Sequence, residues 1–239
     1  MSERFLRQEM LLGTAAMETL RRSHVAVFGL GGVGSWCAEA LARSGVGTLT
    51  LIDQDTVSES NINRQIEALD STVGLSKAEA LAKRLRDISP EIEAIPITAH
   101  YEAAQRERFF DPDNPYHYLV DAIDLVSCKL DLILTARERG IPMISALGTG
   151  NKLDASRLTI CDIAKTQGCP LARVVRRELR VRGVLHHTVV YSPEEAVPAE
   201  QREAPPPGRR SVPGSVVWVP ASAGLLLAQH VVTELIQDS

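Results

Sequence analysis

His24-Val25-Ala26-Val27-Phe28-Gly29-Leu30-Gly31-Gly32-Val33-Gly34 is the stretch on which the fold turns. Its first five residues read as a buried strand, and Val33 to Arg43 has helical spacing up to a stop at Ser44-Gly45. The glycines between them lack a Cβ, so bare backbone can approach a phosphate-bearing ligand at the amino end of the helix. Thr48 to Asp53 reads as a second strand whose last residue comes 19 positions after Gly34. An acid there is placed to accept hydrogen bonds from ribose hydroxyls. These features alone suit NAD as well as ATP.

Outward from this unit, strand and helix patterns alternate, as they do when parallel strands are joined by crossing helices. Ser76 and Glu79 have capping-box spacing, Ala78, Leu81, Leu85 and Ile88 recur at helical intervals, and Pro90 stops that helix. Ile92 to Thr98, with Pro96 inside it, predicts an edge strand; Tyr118 to Ala122 and Met143 to Ala146 predict buried strands around a helix from Cys128 to Arg139. Residues 1–150 are therefore expected to form a doubly wound, Rossmann-like α/β half with a mostly parallel sheet. Residues 151–239 are expected to complete the same domain. They hold a short strand at Leu158 to Cys161, a helix from Leu171 to Arg182, and a mobile loop from Ser192 to Gly214 with six of the 13 prolines. Regular structure resumes at Val216 to Val219, before an apolar helix from Ser222 to Ile236.

At 239 residues, 44% hydrophobic and 23% charged, the chain is long enough to bury one substantial core. A formal charge of −4 argues against coating nucleic acid by bulk electrostatics, so any RNA contact must be a local basic patch. The four cysteines form no C-x-x-C pair, which suggests neither a disulfide framework nor zinc and suits a reducing cytoplasm. Glu3, Arg4, Arg7 and Glu9 interrupt any signal-peptide core, and the apolar run Leu225 to Ala228 is too short to span a bilayer. The six histidines show no metal spacing; His186-His187 reads as a loop feature, and Cys37 as core.

Leu51-Ile52-Asp53-Gln54-Asp55-Thr56-Val57-Ser58-Glu59-Ser60-Asn61-Ile62-Asn63-Arg64-Gln65 resembles the hallmark of the ubiquitin-activating-enzyme superfamily, which includes the molybdopterin- and thiamine-pathway adenylyltransferases. Arg4-Phe5-Leu6-Arg7-Gln8, Gly74-Leu75-Ser76-Lys77 and Asp121-Ala122-Ile123-Asp124 are similar landmarks in the same order, so the likeness runs from residue 4 to about residue 150. It implies a ThiF-type adenylating domain. Gly32 and Asp53 would meet the adenosine, Asn61, Arg64 and Gln65 the phosphates, and Lys77 the triphosphate, with Gly29, Gly31, Gly34 and Asp55 completing the ATP site. Asp124 would hold magnesium. Arg7 would reach into the site of a partner subunit, making a homodimer.

The second half narrows the expectation. Asp162-Ile163-Ala164-Lys165-Thr166, followed by Cys169-Pro170-Leu171-Ala172 and an Arg-rich helix, resembles the motif of tRNA threonylcarbamoyladenosine dehydratases, although Cys169 departs from the aspartate common before that proline. The resemblance implies ATP-dependent cyclisation of the modified adenosine through an adenylate of its threonyl carboxylate, and it admits a sulfur-transfer protein as a partner. Lys165 and Thr166 would contact the substrate. Arg173, Arg176, Arg177 and Arg180 fall at i, i+3, i+4 and i+7, a cationic stripe suited to the backbone of tRNA. Arg202, Arg209 and Arg210 are weaker candidates of the same kind. The alternative is an adenylyltransferase acting on the C-terminal glycine of a sulfur-carrier protein.

Overall fold

Seven strands make one sheet in the computed structural model, which describes residues 3–200, 202 and 212–237. In chain order they are β1 (His24–Phe28), β2 (Thr48–Asp53), β3 (Glu93–Thr98), β4 (Tyr118–Asp121), β5 (Met143–Ala146), β6 (Thr159–Asp162) and β7 (Thr188–Tyr191). Their order across the sheet is β3-β2-β1-β4-β5-β7-β6, and every pairing is parallel except the last. The helices are α1 (Leu6–Leu12), α2 (Thr14–Arg22), α3 (Gly34–Arg43), α4 (Lys77–Ile88), α5 (Val126–Glu138), α6 (Pro170–Val181) and α7 (Trp218–Leu235).

The central strands are continuous apolar runs because helices cover both faces, and all five residues of β1 and all four of β4 are buried. β3 lies at the edge, where Pro96 removes no needed ladder donor. Ser76 caps α4 by accepting the Glu79 N–H. One core cluster joins Met17 of α2, Leu41 of α3, Leu81 of α4 and Leu227 and Val231 of α7 against β1 and β2. A second packs Ile133 of α5 and Val175 and Leu179 of α6 beside Val189 of β7. On the other side Phe28, Tyr101, Phe109 and Phe110 form an aromatic cluster.

Several elements differ from expectation. Val219 belongs to the first turn of α7, not to a separate regular stretch; Pro220 is accommodated there because first-turn N–H groups have no intrahelical partner. β7 was not anticipated, since Thr188-Val189-Val190-Tyr191 is too short to carry a period. Nor were α1 and α2, although Ala16, Met17 and Leu20 of α2 bury one face. The stretch expected as a mobile loop has no helix or strand among its described residues, 192–200, 202 and 212–214. Arg209 and Arg210 lie outside the described residues. Among those described, no helix is long and apolar enough to cross a membrane.

Helix α7 lies on α3 at backbone distance. A Cβ built at Gly224 would stand 2.4 Å from the Val33 carbonyl oxygen and 2.9 Å from the Cys37 nitrogen. Gly224→Ala must push the two helices apart, so it should destabilise the fold by about 3 kcal/mol and lower the melting temperature by roughly 10 °C. An unchanged melting temperature in a thermal scan would show that α7 is not locked there.

Candidate active site

The carboxyl ends of parallel β1, β2, β4 and β5 point the same way, and the strand order reverses between β1 and β4, where open α/β sheets form a crevice. A cavity of about 900 Å³ opens there. The glycine turn after β1 forms one wall. Gly29 has φ of +88°, and a Cβ on it would meet the Ala122 carbonyl oxygen at 2.7 Å; one on Gly34 would lie 1.8 Å from the Gly29 oxygen. Gly34 is thus a packing glycine that does not line the cavity, whereas Gly29, Gly31 and Gly32 do. Asp53 ties this turn to the end of β2, its two oxygens accepting the Leu30 N–H at 2.6 Å and the Asp55 N–H at 2.8 Å.

Asn61, Arg64 and Gln65 stand in the 3₁₀ turn and loop after β2 and face the same space. The Asn61 side chain holds its own turn by accepting the Ser58 N–H at 3.1 Å. The Arg64 guanidinium donates to the Ser60 carbonyl and the Asn63 side chain, both at 2.8 Å, while its backbone oxygen accepts from the Trp36 indole at 3.0 Å. Its stem rests on Gly32, where a Cβ would come within 3.3 Å. Gln65 is buried, and its side-chain oxygen has no hydrogen-bond partner among the described residues, so it can accept from a ligand's donor. Lys77 opens α4 with its ammonium 3.1 Å from Asp55, and Asp124 lines the cavity after β4. Arg64, Lys77 and Asp124 therefore share one cleft.

The floor rests on a buried ion pair missed in the sequence. Lys129 of α5, fully buried, donates to Asp121 at 2.5 Å and to the Ala146 carbonyl at 3.0 Å, joining the ends of β4 and β5. His187 hydrogen-bonds Ser145 at 2.8 Å, and burial lowers its pKa to about 4, so it is a neutral structural histidine. His186 is exposed beside Asp162 at 3.0 Å.

The far end of the cavity is built by Gly148-Thr149-Gly150-Asn151-Lys152 after β5 and by Cys169, Pro170 and Leu171 at the start of α6. A second glycine-bearing segment directly after a strand was the available signal for it. Lys152 is buried; its ammonium donates to the Ser192 carbonyl at 2.6 Å and the Glu194 carbonyl at 2.9 Å, and burial lowers its pKa. Asn151, at φ of 57°, bonds residue 214 through its side chain and backbone and Val197 through its carbonyl. The Cys169 sulfur caps α6 by accepting the Ala172 N–H at 3.4 Å, the part an aspartate would play.

The remaining candidates lie outside the cavity. Thr166, expected to meet the substrate, is turned inward: its hydroxyl donates to Ile163 at 2.7 Å and accepts from Arg176 at 2.6 Å, which also fixes Arg176. Lys165, Arg173, Arg177 and Arg180 are exposed, with Arg177 paired to Glu178 at 2.9 Å. Arg7 is exposed on α1. Arg202 is paired with Glu200 at 2.8 Å.

The pattern of the ThiF family matches residues 5–238. The tRNA threonylcarbamoyladenosine dehydratase of Bacillus subtilis (strain 168) is 41% identical over the whole of this chain and 96% of its own length. The molybdopterin-synthase adenylyltransferase of Escherichia coli (strain K12) is 35% identical, but over 59% of this chain and 57% of that protein. The crystal structure of the E. coli tRNA N6-threonylcarbamoyladenosine dehydratase TcdA in complex with ATP superposes with a TM-score of 0.87, at 35% identity, covering 98% of this chain and 94% of that one.

Glu67, two residues past Gln65, was also missed, because an acid between Ile66 and Ala68 reads as surface. It is 1% exposed, neither carboxylate oxygen has a well-formed hydrogen bond among the described residues, and burial pushes its pKa up to about 7 against the weaker pull of its own backbone N–H, Lys77 and Ser35. With the folded value above the ordinary 4.5, its stabilising contribution is complete below pH 4.5 and is lost as pH rises through 7. Urea unfolding should therefore lose on the order of 3 kcal/mol between pH 4.5 and 8 from this group, and Glu67→Gln should remove that slope. An identical slope in the variant would assign the pH dependence elsewhere.

Proposed function

Because this chain belongs to the ThiF family, we propose that it activates a carboxylate as its adenylate, and that the carboxylate is the threonyl group of threonylcarbamoyladenosine in tRNA. The observation that carries this reading is one cavity lined both by the glycine turn with Arg64 and Lys77 and by the segment after β5 with the start of α6. One end suits ATP; the other has room for an acceptor. A cavity of this size falls within the ordinary range of about 300–1,000 Å³ for ligand sites.

ATP fits the first end: the glycines give its phosphates close backbone approach, Gln65 supplies an acceptor, and Arg64 and Lys77 supply charge. Magnesium fits as well, since it commonly takes one or two carboxylates together with substrate phosphates, and Asp124 would hold it. When bound, it neutralises charge on those phosphates. A carboxylate oxygen of the substrate attacks the α-phosphorus, the bond to the β-phosphate oxygen breaks, and pyrophosphate leaves. Arg64 and Lys77 stabilise the charge that builds on the phosphate oxygens. The urea group of the same side chain then attacks the activated carbonyl, gives up one N–H proton and releases AMP. Intramolecular attack carries a high effective concentration, so no protein nucleophile is needed.

tRNA would lie along α6, where Arg173, Arg177 and Arg180 are exposed, with Lys165 at the preceding turn; Arg176 serves as internal support. Homodimerisation is supported by α1, which presents Met10 and Leu11, 77% and 86% exposed, beside Arg7, and Arg7 would then complete the partner's site. The four free cysteines suit a reducing cytoplasm. The sulfur-carrier alternative is disfavoured, since the adenylyltransferase relative matches 59% of this chain and the dehydratase relative the whole of it.

Incubation with ATP, magnesium and tRNA carrying the linear modification should yield a nucleoside lighter by one water in mass spectrometry. Arg64→Ala or Asp124→Ala should slow this by at least about 100-fold. An unchanged nucleoside, with brisk pyrophosphate exchange on a Gly-Gly peptide, would favour the carrier-protein alternative. For the RNA surface, Arg173→Ala and Arg180→Ala should each reduce the slope of log affinity against log salt by roughly one while leaving ATP affinity alone. Salt slopes equal to the parent's would take tRNA off this helix face.

A further inference from the structure

Lys152 carries a buried ammonium that no carboxylate meets directly among the described residues, although Glu194 pulls on it from a distance. The residue is 4% exposed, and among the described residues its ammonium forms no ion pair; its acceptors are the neutral carbonyls of Ser192 and Glu194. The nearby Glu194 carboxylate is otherwise engaged, its two oxygens accepting the Leu153 and Asp154 N–H groups at 2.9 and 3.1 Å. An ammonium has three donors, so one N–H is left over after the two carbonyls, on a residue that lines the cavity. Retaining a charge with no direct counter-ion out of water is costly unless an anion arrives to meet it.

The ATP phosphates are poorly placed to be that anion. Their cations, Arg64 and Lys77, follow β2, whereas Lys152 follows β5, three strand positions along the sheet. Rising from different strand ends, the two groups can serve different anions. The amino end of α6, at Cys169 to Leu171, lines the same far end and adds a favourable partial charge.

We propose that Lys152 receives the carboxylate of the acceptor substrate, its third N–H binding one oxygen and leaving the other to attack the α-phosphate. This rests on the adenylation reading above and names the group that selects a carboxylic acid over its neutral analogues. As the oxygen it holds becomes the carbonyl of the adenylate, the same ammonium steadies the charge that develops there when the ring closes. The competing role is a strut that only ties Ser192 and Glu194 to the segment after β5.

The two roles separate in a comparison of tRNA bearing the threonylcarbamoyl acid with tRNA bearing its carboxamide, measured by equilibrium binding to the full-length protein with ATP affinity as the check of folding. The parent should prefer the acid by about 10- to 100-fold. Lys152→Gln should abolish that preference while ATP affinity stays within about twofold, and Lys152→Arg should keep at least part of it. A strut predicts that both ligands weaken in parallel with the preference intact, and that result overturns the assignment. If Lys152→Gln fails to bind ATP, Lys152→Met, which keeps the stem without the charge, takes its place: a lost acid preference supports the assignment, and a preference left intact overturns it. A parent that prefers neither tRNA overturns the carboxylate contact alone, whereas a parent that binds ATP but not the acid-bearing tRNA sinks the adenylation reading with it.

Discussion

Lys129 brings a full charge into the sheet's interior, where it must be answered by groups already in place. Asp121 and the Ala146 carbonyl answer it, so one side chain from α5 fixes the ends of β4 and β5 relative to each other. The second Asp121 oxygen accepts the Ile123 N–H at 2.9 Å and begins the turn that delivers Asp124. Across the reversal point, Asp53 does the matching work for β1 and β2 by gripping the glycine turn. Two carboxylates, each spent on backbone or a buried lysine, hold the cavity's floor rigid. The groups facing the ligand can then carry charge without having to hold the fold together.

Charge is distributed unevenly along the cavity. At the nucleotide end Lys77 is balanced by Asp55 and Arg64 rests on carbonyl and amide oxygens, so a triphosphate exchanges weak partners for strong ones. Toward the far end, Lys152 has only carbonyls. Rigid placement of such groups before the ligand arrives is what makes them effective at a developing charge, since nothing has to reorganise during reaction.

The nucleotide half was legible because its signals are local. Glycines with no room for a Cβ, Asp53 at a strand end, and the Ser76 cap each act over a few residues, and their positions in the structure follow from spacing alone. What escaped notice depends on distant partners. Lys129 and Glu67 look like surface residues in any window of sequence, and only the packing of α5 and of the turn after Gln65 hides them. Thr166 read as a contact for substrate by resemblance, and nothing in its neighbourhood announces Arg176 ten residues later. Lys152 was passed over for a similar reason, its partners lying about forty residues downstream.

Gly224 carries a consequence for how the protein is made. The face of α3 that meets α7 stays uncovered until residues 218–235 have left the ribosome, because Gly224 of α7 is what packs on its backbone at Val33 and Cys37. Strands β1 and β2, though synthesised early, therefore wait with part of their apolar cover missing while roughly two hundred residues of chain elongate. Nascent chains of this protein should depend on whatever shields exposed hydrophobic surface during translation.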